Sequence, residues 1–203
     1  MAYIGAGKLD QPLEVLELRE TAAGVWEWVA LRRAWGQVEQ TAKTNLFSKV
    51  GVGARDAAIV LRRQSITLHN ALRWRGQHLF LTSITQRDRN HLDVAAALVT
   101  AVACTAQRYT TKVGAGNRPE KAEQPPVTFP GILTEKYVQY EREDTYAKAR
   151  RGIVLVTSKP IRLREGDLVT VKDGPAAAVY NVQACHVLDE YKNEYEMEFS
   201  RDV

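Results

Sequence analysis

Leu13-Glu-Val-Leu-Glu-Leu-Arg-Glu-Thr-Ala-Ala-Gly-Val-Trp-Glu-Trp-Val-Ala-Leu31 reads as two strands around a turn. On both sides of Gly24 apolar and charged residues alternate with a period near two, which puts one set on a buried face and the other in water. The glycine follows the polar run Arg19 to Thr21 and supplies the backbone freedom that a tight hairpin needs. Residues 12–19 and 25–33 are therefore expected to pair antiparallel.

Working outward, β-type alternation outweighs helical spacing along the whole chain. A further strand runs through Trp35 and Val38, and others cover 58–63, 71–74 and 78–84, the last two joined by the turn Arg75-Gly76-Gln77. Asp88 to His91 is another polar turn. Residues 92–102 form a strand through Leu92, Val94, Ala96 and Leu98, or, given their alanine content, a short helix. Residues 41–56 carry two glycines and no sustained alternation, so they are expected to form a long loop, and loops of that length are commonly functional.

From Thr110 to Pro130 the composition turns to Lys, Gly, Glu, Gln and Pro, and four prolines leave no room for a helix. This stretch is expected to be a linker over 109–130, between one β-domain at 1–108 and a second at 131–203. The second half echoes the first. Ile59-Val-Leu61 with Ile66-Thr-Leu68 returns as Ile153-Val-Leu155 with Ile161-Arg-Leu163, Leu72-Arg-Trp74 as Leu168-Val-Thr-Val171, Phe80 to Ile84 as Val179 to Val182, and Gly7 to Asp10 as Gly131 to Thr134. The expected fold is mainly β: two small antiparallel β-barrel or sandwich-like domains in tandem, with the second a diverged repeat of the first.

The 203 residues are 45% hydrophobic and 26% charged, ordinary values for a folded soluble chain. The N-terminus lacks a basic start followed by an apolar core, and no stretch approaches the roughly 18 apolar residues of a membrane helix, so the chain is expected to be made and used in cytosol. Cys104 and Cys185 stand apart from each other and from any Cys-x-x-Cys pair, and read as ordinary buried thiols. Residues 1–112 hold 15 Lys and Arg against 9 Asp and Glu, and residues 113–203 hold 13 against 15. That asymmetry suits either nucleic-acid binding by the first half or complementary surfaces between subunits.

Catalysis leaves little trace. Gly5-Ala-Gly-Lys8 superficially resembles the end of a phosphate-binding loop, but Leu9 follows where Ser or Thr is needed and no strand precedes it. His69, His78, His91 and His186 lack ligand spacing and read as surface or edge residues. Asp88, Asp93, Asp189 and Glu190 lie in or beside turns, where carboxylates bond nearby amides. No catalytic residue, metal or cofactor is expected. Arg62, Arg63, Arg73, Trp74 and Arg75 interleave basic and aromatic side chains as a single-strand-binding β-barrel would, yet alternation points Trp74 inward as a buried ring with a satisfied indole donor.

Several of these pieces occur together in a known order. Lys8-Leu-Asp10 leads to the hairpin ending in Trp26 and Trp28. Then come Arg33-Ala-Trp-Gly-Gln-Val-Glu39, a long loop, Ile59-Val-Leu-Arg62, the unit Leu72-Arg-Trp-Arg-Gly-Gln-His-Leu-Phe80 and the close at Ile84 with Arg89 to Leu92. In this run, about half of the chain, the sequence resembles the phage head-tail joining family, also called head-closure or head-tail adaptor proteins. Ser48 to Gly53 and the ending Leu188-Asp-Glu-Tyr-Lys-Asn-Glu-Tyr195 are similar to adaptors of phages of Gram-positive bacteria. Members of that family look like small β-barrels assembling as rings beneath the portal, and typical members are shorter single domains.

The resemblance implies a non-enzymatic virion protein, present in host cytoplasm during assembly. Its implied partners are itself in a ring, a portal or adaptor protein, tail-terminator or tail proteins, and packaged DNA by proximity only, with no membrane. Within this frame the 41–56 loop is expected to contact a neighbouring subunit or ring through Lys43, Asn45, Leu46, Phe47, Lys49, Val50, Val52 and Arg55. Arg62, Arg63, Arg73 and Arg75 are candidates for DNA-channel or inter-subunit charges. The closing strand places Tyr195, Met197 and Phe199 on one face and Glu194, Glu196 and Glu198 on the other, an acidic face for a basic partner.

Overall fold

The computed structural model describes residues 8–40, 55–114, 117–136, 152–173 and 176–202. These form fourteen β-strands, with no α-helix among the described residues. The chain divides into two compact units, the first ending at Ala101 and the second beginning at Val102; residues 20–27, the tip of the first hairpin, group with the second.

The first unit contains β1 (Gln11–Ala22), β2 (Val25–Gln40), β3 (Arg55–Arg62), β4 (Asn70–Trp74), β5 (Gln77–Gln86) and β6 (His91–Val99). The pairings run β1-β4-β5-β6-β3-β2 and return from β2 to β1, so six strands close into a ring. Turn chemistry sets its corners. Gly24 has φ +75°, and Arg75 and Gly76 have φ 49° and 78° between the paired Trp74 and Gln77, as a two-residue hairpin of opposite-handed turn requires. Alternate residues point inward: Leu13 and Val15, Ile59 and Leu61, Leu72 and Trp74, Leu79 and Leu81, and Val94, Ala96 and Leu98 make one core. Burying each of the larger aliphatics is worth about 1.5–3 kcal/mol. Ala-rich 92–99 is thus a strand, because its alternate positions face that core.

The second unit contains β7 (Val102–Gln107), β8 (Tyr109–Val113), β9 (Pro119–Glu123), β10 (Val127–Lys136), β11 (Gly152–Ser158), β12 (Leu168–Asp173), β13 (Ala176–His186) and β14 (Lys192–Asp202). Its pairings run β7-β12-β13-β14-β11-β10 and return to β7. Replacing β1 through β6 by β7, β10, β11, β12, β13 and β14 turns one ring order into the other. The two barrels share one topology, and β8 and β9 form a two-stranded hairpin inserted between the first and second strands of the second copy. Cys104, Phe129, Leu155, Val169, Val171, Val182, Tyr195 and Met197 are buried there.

Equivalent positions carry equivalent constraints. A Cβ on Gly36 of β2 would stand 2.7 Å from a Leu61 methyl and 2.9 Å from a Leu13 methyl; one on Gly131 of β10 would stand 2.5 Å from a Leu155 methyl and 2.9 Å from the Cys104 sulfur. In both barrels the second strand gives up a side chain so that the first and third strands can fill the interior.

Several expectations are corrected. The stretch read as a linker, 109–130, holds β8, β9 and the start of β10, and the second unit begins before it, at Val102. Its prolines deceived because β8 and β9 pair mainly with each other, and Pro119 opens its strand, where no ladder donor is needed. The echo of Gly7 to Asp10 in Gly131 to Thr134 fails, since Gly131 lies in β10, the counterpart of β2. Arg55 and Asp56, read as loop, open β3. Phe199 is 52% exposed, unlike Tyr195 and Met197, and meets the Tyr180 ring edge-on with centroids 6.0 Å apart.

Candidate functional site

The β5–β6 turn and the β3–β4 connection meet at one end of the first barrel. Arg62 pairs with His91 across β3 and β6, and the Arg63 amide donates to the Asn90 carbonyl at 2.7 Å. From β2, Arg32 reaches the same connection, donating through Nε to Gln64 at 3.2 Å and through Nη2 to the Ser65 carbonyl. Six arginines therefore gather here, Arg32, Arg33, Arg62, Arg63, Arg87 and Arg89, all exposed.

The acids beside them are already engaged. Asp88 accepts from the Asn90 and His91 amides at 2.7 and 2.8 Å and lies 2.9 Å from the His91 ring, and these bonds hold its carboxyl below the usual range. Asp93 accepts from Arg87 at 3.2 Å. Among the described residues Arg33, Arg62, Arg63 and Arg89 have no ion pair. Trp35, 58% exposed, lines with Arg62, Leu9, Ala34 and Gln64 a hollow of about 330 Å³ beside them.

A second hollow, of about 500 Å³, is lined by Trp28, Arg55, Arg73, His78 and the chain at 98–101. The His78 and Trp28 rings are 5.1 Å apart, and the buried His78 Nε2 has no hydrogen-bond partner. Burial, aided by the Arg73 charge, pushes the His78 pKa down to about 4, so this ring is neutral at pH 7. It is neither the surface nor the satisfied edge histidine expected.

The four arginines proposed as channel charges do not converge. Arg62 and Arg63 sit by the β5–β6 turn, whereas Arg73 and Arg75 flank the β4–β5 turn at the opposite end of β5. Arg73 bonds Glu14 at 3.1 Å, and Arg75 stacks 4.7 Å over Trp74. Trp74 is buried as alternation predicted, but its indole nitrogen has no hydrogen-bond partner. Of the expected contact-loop residues, Lys43, Asn45, Leu46, Phe47, Lys49, Val50 and Val52 lie outside the described residues; Arg55 is exposed at the head of β3.

On β14 the acidic face is partly occupied from within. Glu194 accepts from Lys192 at 2.5 Å, Glu196 faces His186 at 3.0 Å, and Glu198 is exposed. Nearby, Asp167 receives Arg108 in a two-pronged bond, Nε to Oδ1 at 2.9 Å and Nη2 to Oδ2 at 2.7 Å, which raises the guanidinium pKa further. Cys104 is buried and its thiol is pushed up to about 12 by that burial; Cys185 is half-buried and also shifted up, by the same cause. Among the described residues no group of three or more His, Cys, Asp or Glu could hold a metal, and no helix is long and apolar enough to cross a membrane.

Sequence reading singled out Arg62 and Arg63 but missed Arg32, Arg33, Arg87, Arg89 and Trp35. Their signal was present as two Arg-Arg doublets and an Arg-x-Arg turn, but only the strand order shows that these share one end. No family model, no curated protein and no solved structure matches the chain.

Proposed function

We propose that the chain is a structural, non-catalytic component of a tailed-phage particle, a ring-forming protein of the neck that joins the DNA-filled head to the tail. The observation that carries this reading is the duplicated ring of strands. Both barrels fill their interiors with their own side chains, so the chain meets other molecules through outer strand faces and hairpins, as an assembly component does. The resemblance of the run from Trp26 to Val99 to head-tail joining proteins points the same way.

Surface chemistry adds to this support. Val187, Leu188 and Phe199 in and beside β13 and β14 are 46%, 100% and 52% exposed, and Val113 of the inserted hairpin is 74% exposed; large apolar groups left in water suit contact with a partner. The first unit holds 13 Lys and Arg against 7 Asp and Glu, and the second 15 against 17. A basic barrel and a mildly acidic one in each chain favour head-to-tail contact between copies.

Quantitative mass spectrometry of purified particles tests the reading. The chain is expected in complete particles at one fixed copy number set by ring symmetry. Its absence from complete particles of a phage that expresses it would overturn the proposal.

A further inference from the structure

The arginine end of the first barrel has a shape and charge that the assembly reading does not use. Counting Arg32, Arg33, Arg62, Arg63, Arg87 and Arg89 against Asp88 and Asp93 leaves four positive charges on adjoining segments, β2, the end of β3 with the β3–β4 connection, and the β5–β6 turn with the start of β6. Both acids are spent on bonds within those segments. Such a concentration of like charge is costly in a free protein unless salt or a polyanion relieves it.

An aromatic ring stands beside the charges. Trp35 follows Arg33 at the next position on the same face of β2, is 58% exposed, and shares the 330 Å³ hollow with Arg62. A tryptophan whose ring is open to solvent next to guanidinium groups can stack a base while the arginines hold the neighbouring phosphates. Trp74, which sequence reading weighed for that role, is 6% exposed and cannot perform it.

We infer that this end of the first barrel binds single-stranded nucleic acid, with Trp35 stacking a base and Arg33, Arg62, Arg63 and Arg89 holding backbone phosphates. Single strand is favoured over duplex because the exposed indole needs an unpaired base to stack on. The inference stands apart from the neck assignment: it concerns a surface, and its failure leaves the particle test untouched.

Fluorescence anisotropy of the full chain with a labelled oligothymidylate tests it. With four phosphates engaged, log affinity should fall with log salt at a slope of about −3, so raising salt from about 50 to about 200 mM should weaken binding about 50-fold. The double variant Arg62→Glu/Arg63→Glu should lose at least about ten-fold, and Trp35→Ala about ten-fold, with quenching of tryptophan fluorescence by the strand lost as well. Arg118→Glu/Arg201→Glu makes the same change in net charge on exposed residues of the second unit and should leave affinity within about two-fold.

Circular dichroism melts of all three variants confirm that each is folded. Absence of saturable binding at the lower salt would overturn the inference. So would equal losses in Arg62→Glu/Arg63→Glu and Arg118→Glu/Arg201→Glu, which would mean attraction to net charge alone. If Arg62→Glu/Arg63→Glu instead leaves oligonucleotide affinity unchanged and abolishes self-association in sedimentation, the arginines serve a second copy of the chain and the inference is wrong.

Discussion

Asp167 stands in the second barrel where Asn70 stands in the first. Asn70 opens β4 and Asp167 immediately precedes β12, the fourth strands of their barrels, and each side-chain oxygen accepts from an amide three residues earlier, Thr67 at 2.9 Å and Arg164 at 2.8 Å. Each returns its own amide to that residue's carbonyl, at 3.0 and 3.1 Å. The difference lies across the ladder. Asn70 pairs with Glu17 of β1 and its amide reaches the Leu16 carbonyl, whereas Asp167 grips Arg108.

This pair predicts an order of stabilities. The Asp167 side chain is 5% exposed and that of Arg108 26%, so stranding the aspartate is worse than stranding the arginine. Arg108→Met should cost about 3 kcal/mol and Asp167→Asn, which keeps the bond to Arg164, about 2 kcal/mol. Arg108→Met/Asp167→Asn should be more stable than Arg108→Met alone. Urea denaturation of the four proteins checks the order, and a double variant weaker than both singles would contradict it.

His78 predicts a pH dependence. Its folded pKa of about 4 lies below the ordinary 6.5, so below pH 6.5 the unfolded chain takes up a proton that the folded one refuses. Its contribution is whole above pH 6.5, drains as pH falls toward 4 and then levels, for a loss of about 3 kcal/mol at most. His78→Phe keeps a ring against Trp28 and removes the buried unpaired nitrogen. It should be at least as stable at pH 7 and show a smaller loss between pH 6.5 and 4. An imidazole titrating near 6.5 in the nuclear magnetic resonance spectrum of the folded protein would refute the assignment.

Gly36 predicts a packing penalty without any backbone strain. An added methyl would meet two core leucines and stand 2.9 Å from the Val60 carbonyl oxygen, a backbone atom with little room to move. Gly36→Ala should cost about 1–3 kcal/mol, and adding Leu13→Val, which removes the Leu13 methyl, should return part of it. Thermal melts of the single and double variants decide this.

The cysteines should separate in rate. Half-buried Cys185 should react slowly with iodoacetamide in the native protein, and Cys104, with its thiol pushed up to about 12, should react only as fast as the second barrel opens. Mass-mapped labelling over time reads the two sites, and equal rates would be inconsistent with the buried position.

Features decided by neighbours in sequence were legible. The Gly24 and Arg75-Gly76 turns and the inward faces of β1, β3 and β5 follow from turn residues and a period of two, and the echo of Ile59 to Leu61 in Ile153 to Leu155 pairs β3 with β11 correctly. Features decided by distant neighbours were not. Phe199 keeps the apolar phase of β14, yet it stands 52% exposed where Tyr195 and Met197 are buried. Val102 to Gln107 falls within the expected first domain, 1–108, because nothing local shows that β10 and β12 will flank it. The arginine end came into view only once β2, β3, β5 and β6 were adjacent.

Ring closure has a last consequence, for behaviour at high concentration. A strand at the border of an open sheet offers unpaired amides and carbonyls to any passing chain, and aggregation starts there. Within each barrel ring every strand has a partner on both flanks, so neither barrel presents such a border. Among the described residues it is β8 and β9 that have one neighbour each, and Lys112, Pro119, Glu120, Lys121 and Glu123 stud that short hairpin with charge and a missing donor. Among the described residues, the hairpin where a foreign strand could add itself is thereby guarded by residues that resist fibril growth.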